Sequence, residues 1–148
     1  MFRLQGEKLA EAKQRLKLAT LLQFTLPGVP CVYYGDEVGM QGFEDPFNRG
    51  CFPWDDIDEE ILKWYKKLGR LRKNRVFKAG RYRKIQASEG IYVFERYDDT
   101  ASVLVGINRS DKEASFALNA EYKNYFTGKT VDRAVLSPQY GFFLLIRR

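Results

Sequence analysis

Three groups of side chains between residues 36 and 54 have the chemistry for catalysis or binding. Asp36 and Glu37 are paired carboxylates, but neighbours in an extended segment point to opposite sides, so they are poorly placed to act on one bond. Asp45 and Arg49 combine a hydrogen-bond acceptor with a guanidinium that donates from a fixed fork, and they could bind a ligand or only pair with each other. Trp54 could stack on a ligand or be a buried aromatic.

The segments before and after these residues have the pattern of a β/α barrel. Apolar residues recur at helical spacing over residues 7–26, and Pro27 and Gly28 end that helix. Residues 29–34 are a short, continuously apolar run, which is typical of a strand buried on both faces of a parallel sheet. The polar loop at residues 39–56 then follows the carboxyl end of the strand, where such barrels build their active sites.

A second helix is predicted over residues 58–76, with Asp55 or Asp56 as its N-cap. Beyond Gly80 the pattern changes to short alternating runs separated by turn residues. These runs cover residues 81–87, 91–97, 101–108, 114–118, 122–125, 130–134 and 142–146. The sequence therefore predicts an α+β chain in which the last β/α units of a TIM barrel precede an antiparallel Greek-key β-sandwich.

Composition argues against several classes of protein. The net charge of +6 is spread evenly, with 14 Lys and Arg against 11 Asp and Glu in residues 1–79 and 11 against 8 in residues 80–148. The densest basic run, residues 63–78, has no nucleic-acid motif and is typical of a solvated helix face. Cys31 and Cys51 do not have the spacing of a disulfide framework or a zinc site. No cofactor, metal, nucleic-acid partner or membrane span is predicted, and no signal peptide is visible.

The loop and the run before it resemble a known family. The strings GVPCVYYGDEVGM at residues 28–40, DPFNR at 45–49 and FPWD at 52–55 are similar to the last barrel strand and the following loop of the α-amylase family, glycoside hydrolase family 13. The closest similarity is to its neopullulanase, cyclomaltodextrinase and amylopullulanase branch. Two later strings, LVGINRS at 104–110 and YFTGK at 125–129, resemble the C-terminal domain of the same family.

This resemblance implies the C-terminal part of a retaining glycosidase that hydrolyses α-glucosidic bonds of starch-, pullulan- or cyclodextrin-type glucans. The family takes its two reacting carboxyl groups from barrel strands four and five, and a third from an Asn-His-Asp-like segment after strand seven. The match begins after that segment, and the chain contains no histidine. No catalytic residue is therefore predicted, and this chain alone is expected to be inactive.

The resemblance also assigns substrate-binding residues. Residues that match Asp45 and Arg49 contact a sugar next to the cleavage point in the neopullulanase-like enzymes. Among the aromatic residues, Trp54 is preferred for its position in the loop beside Arg49. Gly50 and Cys51 depart from the many relatives that carry a second basic residue after the arginine.

The implied domains are the C-terminal end of a (β/α)8 catalytic barrel at residues 1–79 and the C-terminal β-sandwich at residues 80–148. The expected partners are α-glucan oligosaccharides and, through exposed barrel surface, other copies of the chain. The alternative is a stand-alone carbohydrate-binding or interaction module without catalysis. The sequence gives no prediction of the cellular compartment.

Overall fold

The computed structural model describes residues 3–147. It divides them into two compact units, residues 3–24 with 28–71 and residues 25–27 with 72–147. Helices dominate the first unit, and an antiparallel sheet makes up most of the second. The predicted α+β class is confirmed, while the domain boundary after residue 79 stays a prediction.

The first unit is organised by two helices, α1 at Gly6–Thr25 and α2 at Glu59–Arg72. Their contact is apolar, because Leu21, Ile61 and Leu68 are completely buried. A buried polar bond also crosses it, where the indole nitrogen of Trp64 donates to the Thr20 hydroxyl at 2.9 Å, and Lys17 of α1 forms an ion pair with Glu60 of α2. The first predicted helix is confirmed to within one residue at each end.

The strand expected at residues 29–34 is not formed. Residues 29–33 have no regular secondary structure, and Val29 is 92% exposed. A β-strand needs a neighbouring strand to receive its backbone hydrogen bonds. The six strands within residues 3–147 all lie in the second unit and pair with one another. The apolar pattern therefore identified a segment suited to a sheet, but no described segment runs beside it as a partner.

The helix expected at residues 58–76 is interrupted. The chain leaves α2 at Arg72 and begins a short helix, α3, at Arg75–Ala79. Asn74 causes the break, because its backbone is extended and its side-chain oxygen accepts from the amide of Val76 at 3.2 Å. Asparagine is a favoured N-cap because its short side chain reaches an amide that the helix leaves without a partner.

The second unit contains one six-stranded antiparallel sheet. Its strands are β1 (Arg81–Ser88), β2 (Ile91–Tyr97), β3 (Ser102–Asn108), β4 (Ala114–Asn124), β5 (Thr130–Leu136) and β6 (Phe142–Arg147). Their spatial order is β1-β2-β3-β6-β4-β5, so the connection from β3 to β4 passes the position of β6. The runs expected at residues 114–118 and 122–125 are one strand, β4, whose register shifts between Ala117 and Tyr122.

The sheet forms a sandwich because β4 joins β6 only near one end. The paired residues there are Lys123 with Ile146 and Asn124 with Leu145. The β4–β5 hairpin and the β2–β3–β6 part then share one apolar core, formed by Val93, Leu104, Tyr122, Ala134, Leu136, Phe143 and Leu145. The predicted β-sandwich is confirmed.

On the face of the sheet opposite this core, a buried arginine binds the backbone of the segments packed there. Arg96 in β2 donates to the carbonyl oxygens of Thr25 at 3.1 Å and Gly80 at 3.1 Å, and more weakly to those of Val76 and Phe77. Its guanidinium carbon lies 5.7 Å from the centre of the Phe77 ring. Burial, and then the charge of Arg72, lowers the pKa of Arg96. Carbonyls at helix ends thus take the place of a carboxylate partner.

We expect Arg96→Met to lower the free energy of unfolding of the second unit by about 3 kcal/mol, because four carbonyls lose a charged donor. Amide hydrogen exchange of β3 measures this loss. The matched control is Arg133→Met, since Arg133 is an exposed arginine of β5. Equal exchange rates in the two variants would contradict the bracing role of Arg96.

Candidate functional site

The candidate site lies in the first unit, on the loop between α1 and α2. Its first turn depends on Gly35, whose φ of 92° is accessible to glycine at little cost. The amides of Val38 and Met40 both donate to the Gly35 carbonyl, at 3.1 and 2.9 Å. A methyl group at this position would lie 2.7 Å from the Met40 sulfur. The turn is therefore built around a glycine that no other residue replaces without strain.

The paired carboxylates of this turn have structural surroundings. One oxygen of Glu37 accepts from the amide of Gly35 at 2.9 Å. Burial and then the charge of Glu37 raise the pKa of Asp36, against the effect of a backbone hydrogen bond. Burial, with both carboxylates, raises the pKa of the Tyr65 hydroxyl to about 12. Asp36 and Glu37 thus face different partners, which is the arrangement expected of residues that shape a loop.

Asp45 and Arg49 are brought together as an exposed ion pair. The Nε atom of Arg49 lies 2.8 Å from Oδ1 of Asp45, and the side chains are 68% and 60% exposed. The pairing follows from a single 3₁₀ turn at Phe47–Arg49, in which the Arg49 amide donates to the Pro46 carbonyl. A guanidinium has five N–H donors, so the pair keeps further donors and acceptors for a ligand in solvent.

Trp54 contributes an open aromatic face to the same loop. Its ring contacts Phe52, with the ring centres 4.6 Å apart, and the residue is 76% exposed. Trp54 is therefore not buried by any of the residues that the structure describes. Tyr34 joins the two parts of the loop, because its hydroxyl donates to the Gly50 carbonyl at 2.9 Å. Tyr33, Tyr34, Phe43 and Phe47 are further exposed aromatic residues of the loop.

Asp58 fastens the loop where it enters α2. Its side chain accepts from the amides of Glu60 and Ile61 and forms an ion pair with Lys13 of α1. Its own amide donates to the Val38 carbonyl at 3.1 Å. Asp58 is therefore the N-cap, and the expectation of Asp55 or Asp56 is wrong.

The pKa of Asp58 reports these contacts. Burial opposes its ionisation, but the Lys13 ammonium and the two helix amides outweigh burial and hold the pKa of Asp58 below its ordinary value. Asp58 directly precedes Glu59, the first residue of α2. An aspartate at this position is a favoured N-cap, so the sequence contained the signal for Asp58.

Other chemistry is sparse between residues 3 and 147. No three His, Cys, Asp or Glu side chains gather in a way that could hold a metal ion there. Cys31 and Cys51 are both free and exposed. None of the described helices has the length and apolar content needed to cross a bilayer.

Two family models match the chain in this order. Residues 2–55 match the α-amylase catalytic domain, and residues 87–140 match the cyclomaltodextrinase C-terminal domain. The first match contains the whole set of Asp45, Arg49 and Trp54, and the second covers most of the sandwich.

The curated relatives of the chain include an amylopullulanase and a cyclomaltodextrinase. The chain is 38% identical over 113 residues to the amylopullulanase of Thermoanaerobacter thermohydrosulfuricus, a match that covers 68% of this chain and 8% of that protein. It is 39% identical over 108 residues to the cyclomaltodextrinase of Thermoanaerobacter pseudethanolicus, covering 71% of this chain and 19% of that protein. The chain thus spans less than a fifth of the length of either relative.

Solved structures resemble the chain across both units. The maltogenic amylase from S. marinus matches with a TM-score of 0.75 and 32% identity, over 89% of this chain and 19% of that one. The α-amylase from Geobacillus thermoleovorans, solved as a complex with acarbose, matches with a TM-score of 0.78 and 26% identity, over 91% of this chain and 33% of that one.

We expect Asp58→Ala to lower the free energy of unfolding of the first unit by about 2 kcal/mol, because it removes a helix cap and the partner of Lys13. Both tryptophans lie in the first unit, so tryptophan fluorescence during urea unfolding measures this loss. Asp55→Ala is the control, since Asp55 is exposed.

The pH dependence of this loss has a definite sign. The pKa of Asp58 is lower in the folded chain than its ordinary value of 3.8. Its stabilisation is therefore complete above pH 3.8 and disappears as the pH falls through the lowered value. A difference between Asp58→Ala and the unaltered chain that persists undiminished at the lowest pH would contradict the assignment.

Proposed function

The chain belongs to the α-amylase family of glycoside hydrolases, and we propose that its loop at residues 44–54 forms part of the wall of an α-glucan-binding cleft. The observation that carries this proposal is the solvent-exposed Asp45–Arg49 pair. A carboxylate accepts from sugar hydroxyls and a guanidinium donates to them, so the pair supplies both halves of sugar recognition. Trp54 supplies an open ring face on the same loop.

The substrate class follows from the relatives. Proteins named amylopullulanase and cyclomaltodextrinase match 68% and 71% of this chain, and the structure of a maltogenic amylase matches 89% of it. We infer that the glycosidase to which this loop contributes acts on starch-, pullulan- or cyclodextrin-type α-glucans. Asp45, Arg49 and Trp54 are its proposed substrate-binding residues in this chain.

We further infer that this chain by itself does not hydrolyse these glucans. Retaining glycosidases need two carboxyl groups roughly 5–5.5 Å apart on either side of the scissile bond. In the loop, Glu37 is engaged by a backbone amide and Asp45 by Arg49. The sequence also has no histidine, so the family's His-Asp segment is not within it.

A stand-alone carbohydrate-binding module is the second candidate. The exposure of Arg49 and Trp54 favours it, because a sugar can reach them in the chain as described. Both candidates predict no turnover by this chain. They differ in affinity, because a module that functions alone must hold the sugar with these residues and no opposite wall.

Self-association is also proposed for this chain. The loop between α1 and α2 in the first unit exposes a series of apolar side chains, namely Val29, Val32, Tyr33, Phe43, Phe47 and Trp54. Exposed apolar surface of this kind favours contact with another protein surface. A clean monomer at high concentration, measured by size-exclusion chromatography with light scattering, would contradict self-association.

We expect maltotriose to shift the amide resonances of residues 44–54 at millimolar concentration. Arg49→Ala and Trp54→Ala should each weaken the apparent affinity by about fivefold to tenfold, since each removes one hydrogen-bonded or stacked contact of about 1 kcal/mol. Arg15→Ala is the control, because Arg15 is an exposed arginine of α1 that pairs with Glu11 of the same helix. The same samples should release no reducing sugar from pullulan or cyclodextrin.

Two results would contradict the proposal. Measurable hydrolysis by the purified chain would overturn the inferred lack of catalysis. A well-dispersed spectrum in which residues 44–54 do not respond to maltotriose would remove the sugar contact from this chain. Submillimolar affinity without turnover would favour the binding module over the glycosidase wall.

A further inference from the structure

A second polar surface lies at one end of the sandwich, within the second unit. The strand register places Arg81, Tyr97, Ser102 and Arg147 side by side across β1, β2, β3 and β6. The row below it on the same face contains Arg83 and Glu95, followed by the apolar pair Leu104 and Leu145. The apolar core of the sandwich therefore ends in a charged and aromatic rim.

Glu95 is the unusual member of this rim. It stands on the core face of β2, two residues after the core residue Val93, and is 5% exposed. A charged side chain is rarely buried to this extent without partners. The Ser102 hydroxyl donates to Oε1 of Glu95 at 2.5 Å, and the Arg83 guanidinium donates to Oε2 of Glu95 at 2.5 Å. The two hydrogen bonds thus hold the Glu95 carboxylate at a position of β2 where the alternation of the strand predicts an apolar residue.

The rim encloses an open cleft of about 320 Å³. Its lining includes Arg83, Glu95, Tyr97, Asp98, Ser102 and Arg147. On one side, the guanidinium of Arg83 lies 5.3 Å from the centre of the Tyr97 ring. On the other side, the guanidinium of Arg147 lies 5.5 Å from the centre of the Tyr122 ring. A volume of this size is near the lower limit of small-molecule pockets, about 300 Å³, and suits one or two sugar units.

We propose that this cleft is a second carbohydrate site, which binds the end of an α-glucan chain on the sandwich. Acidic and basic groups are nearly balanced in the lining, so the cleft offers both acceptors and donors without a strong net charge. This balance suits a neutral polyhydroxylated ligand better than a phosphate or a metal ion. Arg147 is the most available group, because it is exposed and pairs with no carboxylate of the described chain.

The choice of an α-glucan as the ligand rests on the proposed function, whereas the existence of the cleft does not. The two sites use separate residues, 44–54 in the loop and 95–102 with Arg147 in the sandwich. The amide resonances of the two sets are therefore followed separately in one titration. If the loop does not bind the sugar, the amides of the cleft still report binding there, and the reverse also holds. One titration therefore tests the two proposals separately.

The test is a maltotriose titration of the labelled chain, followed at the amides of residues 95–102 and 147. We expect saturable shifts there, and a dissociation constant at least fivefold weaker in Arg147→Ala than in the unaltered chain. Arg133→Ala is the matched control, because it removes an exposed arginine of the same sheet outside the cleft. Trp54→Ala should leave the response of the cleft unchanged.

Glu95→Gln tests the centre of the site with nearly the same shape. If it folds, we expect it to weaken the response by at least fivefold, and Arg147→Ala keeps the test valid if it does not. Absence of shifts at residues 95–102 with millimolar maltotriose would overturn the proposal. So would shifts that Arg147→Ala leaves unchanged, or a cleft that responds to inorganic phosphate and not to the sugar.

Discussion

The geometry of the loop site depends on Asp58. One carboxylate caps α2 and pairs with Lys13 of α1, and the amide of the same residue holds the Val38 carbonyl at the far end of the loop. The contacts explain how a segment without strands keeps a defined shape between residues 38 and 58. The Asp45–Arg49 pair and Trp54 lie on the part of the chain that these bonds close. Binding groups on loops need such fixed ends, because an unrestrained loop would lose conformational entropy with every ligand it binds.

The second unit buries a charged side chain on each face of its sheet, and each is held by hydrogen bonds. On one face, Arg96 is satisfied by backbone carbonyls, including those of Thr25 and Gly80. On the other face, Glu95 is satisfied by Ser102 and Arg83. Adjacent residues of β2 thus carry opposite charges into opposite layers. Arg96 serves packing, since its hydrogen-bond acceptors are all backbone carbonyls and its guanidinium lies against the Phe77 ring. Glu95, in contrast, lines an open cleft.

Local patterns predicted most of the elements, and tertiary contacts decided the rest. The periodicity over residues 7–26 was enough for α1, and alternation over residues 91–97 gave β2 with its observed bounds. The run at residues 29–34 had the composition of a strand, but pairing depends on a neighbour that the composition of one segment does not reveal. The four-residue spacing of Asp45 and Arg49 allowed either a ligand site or an ion pair, and the structure shows the pair in solvent. No single segment of the sequence predicts the cleft, because its residues come from four strands, although Glu95 at a core position of β2 is a signal for it.

The proposed contact of the loop with an α-glucan uses Asp45, Arg49 and Trp54. It is tested by a crystal structure of the chain soaked with maltotriose, in a lattice that leaves this loop open to solvent. We expect sugar hydroxyls within hydrogen-bonding distance of the Asp45 carboxylate and the Arg49 guanidinium, with a sugar ring on the exposed face of Trp54. A closed Asp45–Arg49 pair and a bare Trp54 at saturating sugar would contradict it.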